Sequence, residues 1–503
     1  MKRIIYITIT TIVLSANGLL AQDRTDALRW SQHFYEGTAR FLAMGGAFGA
    51  LGGDVASLSV NPAGIGVYRS TEFSISPYYS ITNTNASFTN QAQHSRKFDC
   101  GDLNFGYIQP LIYNNNNEGL VSLNFGFALN TMNNFGYNMY AEHDKSQSSW
   151  LDVLANKMES NREYFEPDFM ESNNRYHNFG PGDWDAVLAW NSVLINKDSD
   201  GFYNVLGEND LVKQGRWIDA RGRNMEYAIS LGGNYANSLF FGLTVGVQDI
   251  DYRKYITHSE DVVEPSATDL RWFDYDQYFE TKGNGFNLKL GLLYRVDDNL
   301  RFGLAVHTPT WLQLKDYYQA SMQSEFKTDT QYYDPETTPT NEYHYKVATP
   351  ARYNFSAAYL FNNIGAISLD YEYVDYSTMT MKDRYTSRSS GDSFVEENEI
   401  IKNEFTGASN IRLGLEVKPV ENFALRAGYS FYGSPYKNSV QGGDPTKQAI
   451  SFGLGYRNDG FFIDAAYRYI MSKSGLYSIY NNSNTVNETY NTSQIALTVG
   501  FRF

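Results

Sequence analysis

The sequence has 503 residues, with 56 acidic and 41 basic residues and a formal net charge of −15 at pH 7. Such an acidic chain is a poor partner for nucleic acid, and a single cysteine, Cys100, excludes an intramolecular disulfide. Aromatic residues make up 16% of the chain and charged residues only 19%, and the mean hydropathy is −0.44. Hydropathy alone would indicate a soluble protein. A membrane β-barrel gives the same value, because its strands alternate apolar and polar residues and never build an apolar run.

The N-terminus has the pattern of a secretory signal peptide. Residues 1–3 carry two basic side chains, residues 4–14 form an apolar run, and a small residue, Ala21, precedes Gln22. We therefore predict that residues 1–21 are a signal peptide, cleaved to leave Gln22 at the mature N-terminus. A retained anchor helix is the alternative, although the apolar run is too short to span a bilayer.

The stretch from Phe41 to Tyr68 is a poor strand and a poor helix, because it is built mainly of glycine and other small residues. Within it, Asn61-Pro62 starts a turn, since proline biases the preceding residue away from the helical region. We predict that residues 22–70 form a compact hatch, which a barrel made from the rest of the chain encloses.

Residues 71–503 consist of segments in which apolar residues alternate with glycine, polar or charged residues. This period of two predicts about fourteen strands, each near the ~9–11 residues that a tilted membrane-spanning strand needs. The strands of soluble β-sandwiches show the same alternation, so the lengths of the connections between strands have to distinguish the two folds. Short turns, such as 237–238 and 297–299, alternate strictly with long loops, which is typical of periplasmic turns and extracellular loops. The predicted fold is all-β: a transmembrane antiparallel β-barrel of about fourteen strands with the hatch in its lumen.

The longest connection, at about 132–223, joins the third strand to the fourth. Apolar residues between Asp183 and Ile195 recur at helical spacing, which predicts a short helix. A lid packed on its own barrel is the favoured interpretation of this helix, and a surface for a partner is the alternative.

Charged residues of both signs occupy lumen-facing positions on neighbouring strands near the C-terminus. We predict that they form a structural cross-strand ladder of ion pairs rather than a ligand site. The residues are Asp370, Glu372, Arg412, Glu416, Arg426, Asp464 and Arg468. His307 also shares the lumen-facing parity, and a lone histidine is usually structural. Because no Ser/His/acid set has catalytic spacing, we predict no enzymatic activity. We also expect no cofactor and no metal site.

The last strand carries Ile495, Leu497, Val499, Phe501 and Phe503 on one face. This aromatic ending resembles the signal that the outer-membrane barrel assembly machinery reads. We therefore expect Phe503 to act as the assembly signal and that machinery to be a partner of the chain.

The segment from Gly53 to Gly64, GDVASLSVNPAG, resembles the Asn-Pro-Ala signature of the FadL/TodX family of outer-membrane transporters for hydrophobic compounds. The segment KVATPARY at 346–353 also resembles a Thr-Pro strand start of that family. The resemblance implies a fourteen-stranded barrel plugged by a small N-terminal hatch, which matches the order of elements here. It also implies the outer membrane of a Gram-negative cell as the location, with lipid and lipopolysaccharide around the barrel.

The resemblance further implies transport of hydrophobic small molecules, such as long-chain fatty acids. The solute would bind in an apolar pocket above the hatch and leave sideways through a gap where the third strand kinks. The expected hatch or gate residues, near that gap, are Asn61, Pro62, Ala63 and Gly64. Candidates for the kink are Gly126, Ala128 and Gly136, because glycine in a strand often marks a bend. The alternative is that these small residues only make room for the hatch.

Two other functions remain open. A haem or porphyrin receptor would need histidine or tyrosine ligands near the loops, and the candidates are His143, His177, His258 and His344. A non-transporting relative could serve as a component of a secretion system, and would have an obstructed, polar lumen and partners that co-purify with it.

Overall fold

The computed structural model describes residues 24–88, 91–101, 103–114, 118–328, 335–362, 364–384, 393–437, 446–479 and 485–503. The predicted signal peptide at 1–21 and the predicted mature start at Gln22 lie outside these residues. Within the described residues, fourteen antiparallel strands form a closed wall, because the last strand pairs with the first as well as with its predecessor. The predicted all-β barrel is confirmed. Of the described helices, none has the length and apolarity needed to cross a bilayer.

The wall strands follow one another in chain order around the barrel, and six of them are interrupted once. They are β1 (Glu72–Ser76 and Tyr78–Phe88), β2 (Gln91–Cys100 and Asn104–Tyr113), β3 (Leu120–Asn134 and Tyr137–Ser146), β4 (Leu211–Tyr235), β5 (Leu239–Val263), β6 (Leu270–Arg295), β7 (Leu300–His307 and Trp311–Phe326), β8 (Asn341–Ala348 and Arg352–Leu360), β9 (Gly365–Asp375 and Thr380–Asp383), β10 (Gly407–Val420), β11 (Phe423–Tyr432), β12 (Lys447–Arg457), β13 (Phe461–Ser478) and β14 (Thr485–Arg502).

Three of these strands are far longer than predicted: β4 and β5 have 25 residues each and β6 has 26. The outward face of β5 is apolar from Leu239 to Val247 and then continues with Asp249, Asp251 and Arg253. About nine residues of β5 are thus suited to lipid, and the remainder projects beyond it. We call the outward apolar band the lipid-facing belt. The predicted strand length was wrong here because the period of two continues unchanged where the outward residues become polar.

A helical cap, residues 147–210, packs on the luminal face of the projecting strands. It contains α3 (Trp150–Ser160), α4 (Pro167–Met170), α5 (Arg175–Asn178), α6 (Trp184–Asn191) and a short hairpin, Ile195–Lys197 with Phe202–Asn204. The short helix predicted between 183 and 195 is α6, and it packs on its own barrel as predicted. Buried apolar residues of the cap, such as Leu154 and Leu188, share one cluster with Phe273 of β6 and Met322 of β7.

The hatch lies inside the barrel and consists of α1 (Arg24–Ser31), α2 (Ala39–Ala43) and two 3₁₀ turns, Val55–Ser59 and Pro62–Val67. A last helix, α7 (Val395–Glu404), follows β9 and contributes Ile401 to the cluster that buries Trp30 of α1. The wall meets the hatch at glycine positions. A side chain at Gly428 would collide with the backbone of Gly45, so the hatch packs directly on the strand backbone.

Candidate functional site

The third wall strand is broken where it faces the hatch. Its lower segment ends at Asn134 and its upper segment begins at Tyr137, and both segments pair with β4. The lower segment also pairs with β2, from Ser122 as far as Leu129. Beyond that point the backbone of β3 pairs with the hatch instead: Phe34 N–H donates to Met132 O at 2.8 Å and Glu36 N–H to Thr131 O at 2.9 Å. Within the described residues, the upper segments of β2 and β3 share no paired backbone.

Beyond Leu129, side chains rather than backbone hydrogen bonds connect β3 with β2 and with the start of the second part of β1. Asn134 Nδ2 donates to Asp99 Oδ2 at 2.5 Å and to the Tyr78 hydroxyl at 3.1 Å. Farther from the break, Gln91 of β2 bonds Asp144 of β3. The wall between β2 and β3 therefore contains an opening held by a few side-chain contacts. We call it the lateral opening.

A cavity of about 440 Å³ lies directly behind the lateral opening. Asn133, Asn134, Phe135, Gly136 and Tyr137 line it from the wall, so a single layer of residues separates the cavity from the opening. Its floor is the hatch segment with Gln32, Phe34 and Glu36, and its remaining wall comes from β1, β4, β5 and β11–β14. Aromatic and aliphatic side chains alternate with polar ones around it: Leu28, Ile218, Tyr252, Tyr432, Ile470, Tyr490 and Gln494.

The cavity also contains basic side chains that differ in their partners. Arg468 contacts Glu36 at 3.6 Å and donates to Tyr35 O at 3.1 Å. Lys447 instead lies over the Phe34 ring, with its ammonium nitrogen 3.7 Å from the ring centroid. No carboxylate among the described residues forms an ion pair with Lys447. Because a cation–π contact leaves ammonium hydrogens available, Lys447 can receive an anionic group that enters the cavity.

The signature residues of the hatch lie against another part of the wall. The Asn61 side chain accepts from Ala63 N–H at 3.1 Å and donates to Gly49 O at 2.6 Å and to Leu292 O of β6 at 3.1 Å. It thus caps the turn that Pro62 begins and fastens it to the barrel. Asn61, Pro62, Ala63 and Gly64 do not line the cavity. Their expected place near the lateral opening is therefore not where the structure puts them, and their gating role stays a prediction.

The three kink candidates are separated by the structure. Gly126 and Ala128 lie in an uninterrupted ladder, opposite Ile108 and Gly106 of β2. A side chain at Gly126 would collide with Ile65 of the hatch, so these small residues make room for the hatch. Gly136 alone lies in the break, where its N–H donates to Asn134 Oδ1 at 2.7 Å.

The predicted charged residues of the last strands face each other across the lumen wall and extend into the hatch. Arg426 bonds Glu416 at 2.7 Å and Asp464 at 2.6 Å, and Arg40 of the hatch reaches the same Glu416 at 3.0 Å. A second group forms around Glu372, which contacts Arg352 at 3.1 Å and Arg412 at 3.5 Å. Asp370 accepts from Gly49 N–H at 2.9 Å. The ladder thus binds the hatch as well as the strands, which the sequence pattern did not indicate.

The histidines do not converge on a common site. His258 bonds Glu260 under the cap at 2.9 Å, His344 bonds Glu342 at 2.8 Å, and the His143 ring lies 5.1 Å from that of Phe88. His177 belongs to α5, and His307 Nε2 donates to Val60 O of the hatch at 2.8 Å. Among the described residues, no group of three or more potential metal ligands comes together.

At the other end of the barrel, Phe503 is 81% exposed and its N–H bonds Thr71 O. The role of Phe503 in assembly stays a prediction.

Sequence reasoning missed Lys447 and the segment from Gln32 to Glu36 as parts of the site. The only signal was the position of Lys447 at the start of an alternating strand with lumen-facing Ala449 two residues later. The segment itself has no repeat or motif, because its role comes from the unpaired backbone of β3 that it meets.

The chain is similar to known proteins in both sequence and fold. The sequence profile of the family described as outer membrane protein transport protein (OMPP1/FadL/TodX) matches residues 224–503. A FadL homologue of Pseudomonas aeruginosa has a similar fold, with a TM-score of 0.54 at 12% identity over 93% of this chain and 98% of that one. The Pseudomonas putida toluene transporter TodX gives 0.51 at 12% identity over 93% and 99% of the two chains. No curated protein sequence matches the chain.

Proposed function

This chain belongs to the FadL/TodX family of outer-membrane transport proteins, and from that premise we propose that it carries long-chain fatty acids or similar amphiphiles across the outer membrane. As a member of a family of transporters for hydrophobic compounds, the protein is not an enzyme. The observation that carries the proposal is the cavity behind the broken third strand, where aromatic and aliphatic side chains lie beside the ammonium group of Lys447, which forms no ion pair with a carboxylate among the described residues.

The charge of the cavity favours an amphiphile with an anionic end over a neutral hydrocarbon. TodX is a toluene transporter, and toluene has no anionic group that could pair with the half-buried ammonium group of Lys447. Here Lys447 lines the cavity, and Phe135, Ile218 and Ile470 supply apolar surface in the same lining. A carboxylate can bond Lys447 while its hydrocarbon chain covers these side chains. Burial of the chain then contributes roughly 0.8 kcal/mol for each methylene group.

We propose that the solute leaves sideways through the lateral opening. Asn134 lines the cavity and also bonds Asp99, so its side-chain contacts have to break before the cavity connects to the lateral opening. On the outer surface the opening is flanked by Phe98 and Leu103, which are 57% and 46% exposed. An apolar solute that passes them enters the lipid without crossing water. The Phe34–Glu36 segment covers the opening from inside and has to shift for this step.

The proposal predicts uptake that depends on the free space in the cavity. We would express the full chain in Gram-negative cells that lack their own fatty-acid transporter and measure uptake of radiolabelled oleate and of toluene. Ala220 is buried and lines the cavity, so Ala220→Trp fills it and should reduce oleate uptake to the level of cells without the protein. The matched control is Ala427→Trp on β11, whose side chain has the outward parity of its lipid-facing neighbours Leu425 and Tyr429.

The wild-type protein and the Ala427→Trp control should take up oleate in preference to toluene. Toluene uptake without oleate uptake would replace the anionic amphiphile with a neutral hydrocarbon as the substrate. If neither solute enters and a second protein co-purifies with the barrel, transport is the wrong function and the secretion-component alternative is favoured.

A further inference from the structure

A patch of basic side chains lies on the outward face of β6–β9, directly above the lipid-facing belt. The belt ends there with Phe286 and Trp311, whose rings are 5.2 Å apart, and both side chains face outward. Such an aromatic pair is typical of the boundary between hydrocarbon and headgroups in a membrane barrel. The next outward residues along these two strands are Asn284 and Gln313, which are paired. The surface above the belt is therefore at the level of the lipid headgroups.

Cross-strand pairing places like charges directly opposite one another in this patch. Lys282 pairs with Lys315, which in turn pairs with His344. One row closer to the belt, Lys346 pairs with Lys382. Like charges in directly opposite positions destabilise a sheet, and here two such lysine pairs occur in adjacent rows.

Carboxylates offset only part of this charge, and they lie on one side of it. Glu280 bonds Lys282 at 2.6 Å, and Glu342 bonds Lys315 at 2.8 Å. Both carboxylates precede their row on strands β6 and β8, so they lie farther from the belt than the lysines do. Lys346 and Lys382, closer to the belt, form no ion pair within the part of the chain that the structure describes. The positive charges without a carboxylate partner in this patch are therefore those nearest to the lipid-facing belt.

A groove of about 550 Å³ runs along the same surface. Lys282, Lys315, His344 and Arg384 line it together with the amide side chains of Asn284 and Gln313. Acidic residues, Asp249 and Asp251, occur only at its β5 end. The groove combines several cations with amide donors, which is the set of groups that phosphorylated sugars bind.

We propose that this basic patch binds the phosphorylated sugar headgroup of the outer-leaflet glycolipid, lipopolysaccharide. The patch is continuous with the lipid-facing belt, so the acyl chains of a glycolipid lie against Phe286 and Trp311 while its headgroup reaches Lys346 and Lys382. Phosphates there supply the negative charge that the paired lysines lack. Because the patch is on β6–β9, the bound glycolipid leaves the lateral opening between β2 and β3 free.

The test is binding of defined lipids to the full chain, purified in detergent and freed of lipopolysaccharide, followed by native mass spectrometry. The probes are bisphosphorylated lipid A and lipid A from which both phosphates have been removed. The variant is Lys346→Gln with Lys382→Gln. The matched control is Lys213→Gln with Arg271→Gln, two exposed cations near the outer tips of β4 and β6. Since a basic residue near an anionic membrane surface contributes about fivefold to binding, the variant should lose at least about tenfold in affinity.

The control should bind bisphosphorylated lipid A like the wild type, and dephosphorylated lipid A should bind the wild type as weakly as lipid A binds the variant. Equal binding by the wild type and the variant, or equal binding of the two lipids, would overturn the proposal. Displacement of lipid A by millimolar inorganic phosphate would also overturn it, because the source of the anion would then be free phosphate.

A stability measurement separates loss of binding from loss of fold. Without lipid A, the variant should unfold at no lower temperature than the wild type, because the substitutions relieve repulsion between paired lysines. With lipid A, the wild type should gain more in melting temperature than the variant does. A lower melting temperature of the lipid-free variant would contradict the proposal, since the lysines would then be structural.

Discussion

The wall between β10 and β13 and the wall between β2 and β3 are built in different ways. From β10 to β13, each strand pairs with the next along most of its length. On the luminal side, Glu416, Arg426 and Asp464 add ion pairs between these strands. Between β2 and β3 the backbone ladder ends at Leu129, and above it the side-chain contacts of Asn134 with Asp99 and of Asp144 with Gln91 connect the two strands.

This difference indicates where the barrel can open. Parting two laddered strands breaks many backbone hydrogen bonds at once and exposes their groups to lipid, where each costs several kcal/mol. A side-chain hydrogen bond contributes only about 0.5–1.5 kcal/mol net and can be exchanged with a neighbour or with water. The hatch covers the weak part of the wall from inside. An exit for an apolar solute therefore needs no general loosening of the barrel.

The largest expected effect comes from closing the lateral opening covalently. In a Cys100→Ser background, Asp99→Cys and Asn134→Cys can be joined by a short bifunctional thiol reagent, because the native side chains at these positions touch. We expect oleate uptake to fall at least tenfold, since the solute loses its exit. Uptake of radiolabelled oleate before and after the reagent measures this.

The control for the cross-link is the pair Gln448→Cys and Met471→Cys, directly opposed residues on β12 and β13. Joining these two positions should leave uptake unchanged, because the ladder there does not open. Equal inhibition by the two cross-links would remove the distinction between the two walls.

A substitution in the laddered wall should destabilise the barrel more than a substitution at the lateral opening. Arg412→Met leaves Asp370 buried without its neighbouring cation and leaves Glu372 with Arg352 alone, so we expect a loss of about 3–5 kcal/mol in the free energy of unfolding. Asn134→Ala removes the hydrogen bonds to Asp99, Tyr78 and Gly136 N–H and should cost about 2 kcal/mol. Urea titrations followed by the gel shift of the folded barrel measure both values. A larger loss for Asn134→Ala than for Arg412→Met would contradict our account of the two walls.

A smaller effect is expected on ligand affinity at Lys447. Lys447→Gln keeps much of the side-chain volume and removes the charge, so affinity for oleate should fall by about tenfold, as for the loss of one charged hydrogen bond. Methyl oleate, which lacks the charge, should bind the two proteins equally. Calorimetric titration of both ligands checks this, and an equal loss for the acid and the ester would show that Lys447 acts by packing alone.

The smallest expected effect is on the cap and depends on pH. His258 is fully buried beneath α3, and burial lowers its pKa although the hydrogen bond and charge of Glu260 oppose this; the positive charge of Arg216 lowers it further, and Asp274 raises it. A histidine with a lowered folded-state pKa contributes stability that is complete above its unfolded pKa of about 6.5 and is lost as pH falls from there toward the folded value. Protease should therefore cut within 147–210 faster at about pH 5 than at about pH 7.5.

The matched variant for this prediction is His258→Gln, which cannot titrate at these pH values. Cleavage of that variant should depend less on pH than cleavage of the wild type, whatever its absolute rate. The same pH dependence in both proteins would place the effect on another group.

The two walls also differ in how far the sequence predicts them. The backbone pairing between β10 and β11 follows from the period of two alone, since apolar and polar or small residues alternate without interruption from Ile411 to Val417 and from Phe423 to Tyr429. The ion pairs follow from parity on neighbouring strands. The break in β3 has no comparable pattern: Gly126, Ala128 and Gly136 look alike in sequence, and only the register of β2 and β4 separates them.

The cap and the cavity required long-range contacts that a sequence does not show. The spacing of apolar residues predicted α6, but α3 was missed. The sequence does carry a local signal for α3, the capping box of Ser149 and Asp152, and only the contact of Ser149 with Glu260 of β5 is long-range. The cavity depends on Phe34 and Lys447, which approach each other only because the hatch segment crosses the lumen. The asparagine–proline turn was found from its motif, although its contacts with β6 were not.

The most direct test of a cavity that empties sideways is photo-cross-linking with a fatty acid that carries a diazirine at its hydrocarbon end. After illumination of the full chain in proteoliposomes, digestion and mass spectrometry locate the adducts. Our account predicts adducts at 133–137 in the cavity and at Phe98 and Leu103 beside the lateral opening, with the latter lost when positions 99 and 134 are joined. Adducts along the hatch at Gly53, Val67 and Arg69, and none at Phe98 or Leu103, would show that the solute passes through the hatch and would contradict lateral release.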